Sequence, residues 1–160
     1  MHPYLKDIVS GSLAGGLSML VLALRGRAEK GSAVAPLNAP SHWLHGERAL
    51  RQTRPSWRYT ATGALIHHAS ALMWGGIFNR LIGKRGPATH PAKLAAGAAV
   101  MTAVAALVDF KMVPERLTPG FQHHLSRKSL VLTYGAFAAG LALAAMATRA
   151  QASRDGKTVQ

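Results

Sequence analysis

Four stretches of the chain carry no charged residue: Ile8 to Leu24, Ala61 to Asn79, Leu94 to Val108 and Leu130 to Ala147. A helix rises about 1.5 Å per residue, so some seventeen to twenty apolar residues cross a hydrocarbon core of roughly 30 Å. The third stretch is the shortest and very rich in alanine. It extends to Val113 if Asp109 and Lys111 sit at the interface. A soluble four-helix bundle would show charges along one face at period 3.6. These stretches have no charge on any face. The pattern therefore predicts an all-α, integral membrane four-helix bundle. Its helices are expected at about 8–24, 59–82, 93–113 and 129–148, within one transmembrane domain over 1–148. The polar tail over 149–160 is expected to be disordered.

Small residues recur at helical spacing. Gly11 and Gly15 form a G-x-x-x-G pair, Ser12 and Gly16 repeat it, and Ala136 and Gly140 give the same spacing in the last helix. Such residues let helix backbones approach closely in lipid, so Gly11, Gly15, Ala136 and Gly140 are the expected helix-packing positions.

The connections differ. Arg25 to Arg58 is long, basic and aromatic; Arg80 to Lys93 is short and basic; Phe110 to Ser129 is intermediate and holds Pro114 and Pro119. Short interfacial helices are expected in the first and third connections. Ser41 would cap one running toward Leu50, and Thr118 would cap another with Pro119 at its first position. Trp43, Trp57, Tyr59, Phe110 and Phe121 lie near them, as an aromatic belt would.

Charge sharpens the picture. The 160 residues carry a formal net charge of +13 although 49% of them are hydrophobic. The basic residues lie between the apolar runs, which is how a membrane protein holds both properties. Lys and Arg favour the face of the first and third connections, so that face leans cytoplasmic under the positive-inside rule. Basic loops also attract anionic lipid head groups. Ala33-Val34-Ala35 mimics a signal-peptidase site, but Arg25, Arg27, Glu29 and Lys30 separate it from the apolar run.

The chain has no cysteine, which excludes disulfides, thiolate ligands and iron–sulfur clusters. With three Glu and no Glu-x-x-His pair it cannot form a di-metal carboxylate site of the four-helix type. No phosphate loop, H-E-x-x-H or G-x-S-x-G appears, so no recognised catalytic motif is present and a non-enzymatic role is expected. The basic loops match no nucleic-acid fold signature.

Histidine is the residue that could carry chemistry. On four spans, His42, His45, His123 and His124 fall on one face, and His67 and His68 lie inside the second helix nearer that face. Asp109 ends the third helix there. Imidazole binds zinc, copper, iron and haem, so these seven residues are the candidate ligands of a transition metal or haem. The competing reading is structural, with His67 or His68 joining helices through Ser70, Thr102 or Asn79. Asp109 would pair with Arg116, His67 or a basic residue of the first connection.

Asn38-Ala39-Pro40-Ser41-His42-Trp43, Val108-Asp109-Phe110 and the run from Val113 to Phe121 look unlike generic linkers. They resemble segments of small bacterial inner-membrane proteins that carry no assigned activity. The resemblance implies a multi-pass protein of the bacterial inner (plasma) membrane and brings no ligand set with it. The functions expected are, first, a structural or assembly protein that packs with membrane partners, with itself as a homo-oligomer, or with anionic lipid. Second comes a membrane-embedded histidine site for redox or ion handling, and third a small transporter or channel subunit.

Overall fold

A computed structural model describes residues 2–82 and 90–155. Among them there is no strand, and helix dominates. Four long helices form the body. We label them α1 (Pro3–Lys30), α2 (Thr62–Leu81), α3 (Pro91–Leu107) and α4 (Arg127–Asp155).

Each boundary has a local cause. Pro3 opens α1 where its missing N–H is not needed, and Gly31 ends it in the left-handed conformation, its N–H bonded to the Arg27 carbonyl. Helix α1 thus runs past the expected Leu24, because Arg25, Arg27, Ala28, Glu29 and Lys30 are good helix formers, Gly26 alone excepted, and nothing stops the chain before Gly31. Pro91 opens α3 behind His90, whose ring accepts from the Ala92 N–H. Helix α4 is also longer than expected. Residues 149–155 continue the helix rather than forming a disordered tail, since Ala, Arg and Gln favour it. Residues 156–160 of that expected tail lie outside the described residues, as does most of the second connection, 83–89.

Two π-helical turns adjoin the helices. Trp57–Ala61 leads into α2, and Val108–Met112 extends α3, with the Val113 N–H reaching back to the Val108 carbonyl. Ser56 caps the first, its Oγ accepting from the Tyr59 N–H.

Among the described residues three helices are long and apolar enough to cross a membrane: Tyr4–Lys30, Pro91–Met112 and Arg127–Gln151. The fourth expected span, α2, is not among them. His67, His68 and Asn79 lie within it and lower its mean hydropathy.

Helix α1 is the centre of the packing. It lies against α2 on one side and α4 on the other, and α4 in turn carries α3. Glycine makes the first two contacts close. A Cβ on Gly11 would stand 2.5 Å from the Leu72 Cα, one on Gly75 2.6 Å from the Gly11 nitrogen, and one on Gly140 would collide with the Ala14 backbone. Gly15 faces Ala71 in the same seam. Gly16 meets nothing within 4 Å, so the pair of Ser12 and Gly16 is not a contact on that side. Ala136 is half-buried. At the end away from the long connections, the Asn79 amide donates to Asp7 at 2.9 Å and to Ser10 at 3.2 Å.

Helices α2 and α3 touch little. A wedge therefore opens between them, and the first and third connections fold over its end as a cap.

Candidate functional site

The cap is built around Asn38, which is fully buried. Its amide nitrogen donates to the carbonyls of Gln52 and Arg54, and its Oδ1 accepts from the Thr60 hydroxyl at 2.6 Å. Ser41 donates to the Asn38 carbonyl at 2.7 Å. A buried amide with its donors and acceptor engaged fixes one loop conformation, because leaving any of them unmet is costly. Helix α2 enters under this loop. At Gly63 a side chain would collide with the Leu37 carbonyl.

Ser41 therefore anchors a loop and does not cap a helix; its hydroxyl is spent on a carbonyl. Thr118 likewise donates to the Glu115 carbonyl instead of capping. The short helices themselves are present: His42–His45 is α-helical, and Gly46–Arg51 and Phe121–His123 are 3-10 turns. The Thr118 carbonyl joins the two connections, bonding the His42 ring at 2.8 Å and accepting from the Trp43 indole at 2.8 Å.

A second clamp ties the cap end of α1 to the start of α4. Glu29 accepts from the Ser126 N–H at 2.7 Å and from the Ser126 and Ser129 hydroxyls, and it pairs with Arg25 at 2.9 Å. A carboxylate at a helix N-terminus meets unpaired N–H groups and the positive end of the helix dipole.

Beneath the cap, the wedge between α2 and α3 encloses a cavity. It holds about 60 Å³ of space for the centres of water-sized spheres, within roughly 570 Å³ of free space when its mouth is counted. All four helices reach it: Ser18 from α1, His67 and Trp74 from α2, Ala105 from α3, and Tyr134 and Phe137 from α4. Asp109 lies on the π-helical turn after α3, and Trp43 and Phe121 come from the cap. The Tyr134 hydroxyl donates to Asp109 Oδ2 at 2.6 Å. His67 Nε2 lies 3.0 Å from the Ser18 hydroxyl, which also bonds the Ala14 and Gly15 carbonyls one turn back. Phe121 and Tyr134 pack at a tilt, and Phe110 lies edge to face against both, with ring centroids 5.7 to 6.5 Å apart.

The seven candidate ligands do not share one centre. His67 and Asp109 line the cavity. His42 is turned to Thr118, His45 lies edge-on to Tyr59, and His68 has its Nδ1 facing the α1 seam near Gly15. His123 is exposed and His124 is buried beside Leu50. Among the described residues no three His, Asp or Glu side chains are placed to hold a metal ion. His67 joins helices as the structural reading expects, but through Ser18 rather than Ser70, Thr102 or Asn79. Asp109 meets Tyr134 rather than a cation. The sequence reading lacked Ser18, Trp74 and Tyr134. Each lies inside an apolar run, and only the tyrosine, a phenol in a charge-free helix, gave a sign that it needed a polar partner.

His124 stands apart electrostatically. Burial, then the nearby Lys30 and His123, push its pKa below the ordinary 6.5, against a backbone bond at Leu50 that raises it. Its Nε2 is buried with no hydrogen-bond partner. A neutral ring tolerates that position better than a charged one.

No protein-family model matches the chain, and no curated protein or solved structure matches it.

Proposed function

We propose that the chain is a small integral membrane protein of structural or assembly type in the bacterial inner membrane. All four helices lie in lipid, α2 included, held there against α1. The cap rests at one surface and engages anionic head groups, while the outer helix faces meet lipid or a membrane partner.

The observation that carries this reading is the exposed rim of the cap. Arg48, Arg51, Arg54 and Arg58 all point to solvent there, beside Trp57, which is 88% exposed. Basic side chains at an interface each gain about 1 kcal/mol against anionic lipid, and an indole favours the head-group layer. The helices below present apolar faces outward: Leu65, Val100 and Val131 are each at least 64% exposed. A patch of that kind is costly in water and ordinary in hydrocarbon.

Thermal unfolding in lipid nanodiscs tests the proposal. Phosphatidylglycerol should raise the Tm above its value in purely zwitterionic lipid. Replacing the four arginines with glutamine should remove most of that difference and leave the Tm in zwitterionic lipid unchanged. Equal Tm in both lipids for the native chain would overturn the lipid role, and recovery of the chain in the soluble fraction without detergent would overturn the membrane reading itself.

A further inference from the structure

We infer that the cavity between α2 and α3 is a binding site for a small organic cation, an alkylammonium or trimethylammonium group. This goes beyond the structural role and rests on the reading that the bundle lies in a membrane.

Asp109 is the acidic group of the cavity. Its carboxylate lines the cavity and has one partner, the neutral Tyr134 hydroxyl. Among the described residues no ion pair involves Asp109, so no basic side chain answers it there. Among the described residues no Lys or Arg lines the cavity. An acidic group inside a membrane domain is expensive to keep, and it ordinarily marks a ligand or ion site.

The walls favour the same kind of guest. Trp43, Trp74, Phe121, Tyr134 and Phe137 surround the space. Aromatic faces attract cations through their quadrupole, most strongly when water is excluded, and aromatic cages are how quaternary ammonium groups are held. A metal ion would need more hard donors than one carboxylate and a phenol provide. An anion would meet Asp109 unscreened. An uncharged apolar guest would leave that carboxylate buried and unanswered.

Size limits the guest. At about 10–15 Å³ of such space per water, the 60 Å³ core takes roughly four to six waters. A trimethylammonium head, with four non-hydrogen atoms, or the smaller ethylammonium head fits within that space, and a longer tail would leave by the mouth. A free amine and the head group of an amine-bearing phospholipid share this chemistry.

The test uses the full chain in phosphatidylglycerol nanodiscs. Of the three tryptophans, Trp57 is exposed away from the cavity, so Trp57→Phe leaves Trp43 and Trp74 as reporters. Choline should change their fluorescence saturably. Its uncharged carbon isostere, 3,3-dimethyl-1-butanol, should bind at least tenfold more weakly. Asp109→Asn should weaken choline at least tenfold, whereas Tyr134→Phe, which keeps the charge, should stay within threefold. Adding phosphatidylethanolamine should raise the apparent Kd for choline if the lipid head group is the natural guest, and leave it unchanged if the guest is a free amine. Absence of saturable binding, or equal affinity for choline and its isostere, overturns the inference. Should Asp109→Asn lose its helical circular dichroism, the isostere comparison on the folded native chain still decides.

Discussion

The two seams that flank α2 are opposites. Against α1, the helix meets glycine with glycine: Gly75 rests on Gly11, and Ala71 sits over Gly15. Backbones come into direct contact, and no space is left for a ligand or water. Against α3 the same helix presents Ile66, His67, Ser70 and Trp74 and leaves a cavity. The difference lies in side-chain size and in what crosses the end of each seam. In lipid, apolar surfaces gain nothing by leaving solvent, so helices associate through close packing and buried hydrogen bonds. Small residues supply the first in the α1 seam. The α3 seam has bulky aromatic residues and relies on the cap to hold its walls at a fixed distance. One seam carries the stability, and the other is free to carry a function.

The largest effect should follow from filling the tight side. Gly11→Val sets a branched side chain against the Leu72 backbone, where nothing flexible can yield. Overpacking a core costs about 1–3 kcal/mol and more when the backbone itself must move. The variant should unfold at least 10 °C below the native chain in detergent, or fail to accumulate in membranes. Gly16→Val is the control: with nothing within 4 Å of a Cβ there, its Tm should fall by less than a third as much. Equal losses at both positions would mean that helix propensity, not the seam, sets the cost.

These elements also show how far the sequence could be read. The four charge-free runs pointed to four helices, because absence of charge is a local property. Helix ends were less legible. Arg25 to Lys30 read as a connection because they are charged, yet charge does not stop a helix, and Gly31 does. The seam at Gly11 and Gly15 followed from spacing alone. Which faces would stand apart did not, since that depends on the cap, and the cap is held by Asn38, Glu29 and the Thr118 carbonyl across long sequence separations. The histidines were found but their grouping was not. Topology put six near one end, while individual rotamers and partners dispersed them. For Asp109 the expected partners were basic residues or His67, and the partner found is a phenol inside α4, 25 residues further along the chain.

A middle-sized effect should come from the cap. Asn38→Leu keeps the branched outline of the side chain but leaves the Gln52 and Arg54 carbonyls and the Thr60 hydroxyl without its amide. Unmet buried polar groups cost about 1–3 kcal/mol each, offset where water reaches them. We expect about 2–4 kcal/mol of lost stability. The loss should be unevenly distributed: hydrogen exchange should quicken across 35–61 and 113–126, while amides of α1 from Gly11 to Leu22 keep their protection. Uniform loss of protection would show that the cap and the tight seam unfold as one unit, and would erase the contrast between the two sides of α2.

The smallest effect should be a pH dependence at the cap, through His124. Its pKa is lowered in the folded chain, with burial first among the causes and Lys30 and His123 adding repulsion. In the unfolded chain the ring titrates near 6.5. Between those two values the unfolded state binds the proton and the folded state does not, so stability must fall as pH drops below 6.5. Above 6.5 both states carry a neutral ring and the term vanishes. Comparing the native chain with His124→Gln isolates this ring from the other histidines, which are the same in both proteins. The native Tm should decline from pH 7.5 to pH 5.5 more steeply than that of the variant, and the two curves should run parallel above pH 7. Because His124 packs on the cap at Leu50 and not on the α1 seam, the extra loss at low pH should appear first as faster exchange in the cap. A steeper slope for the variant would reverse the sign and place the charged ring, not the neutral one, in the folded cap.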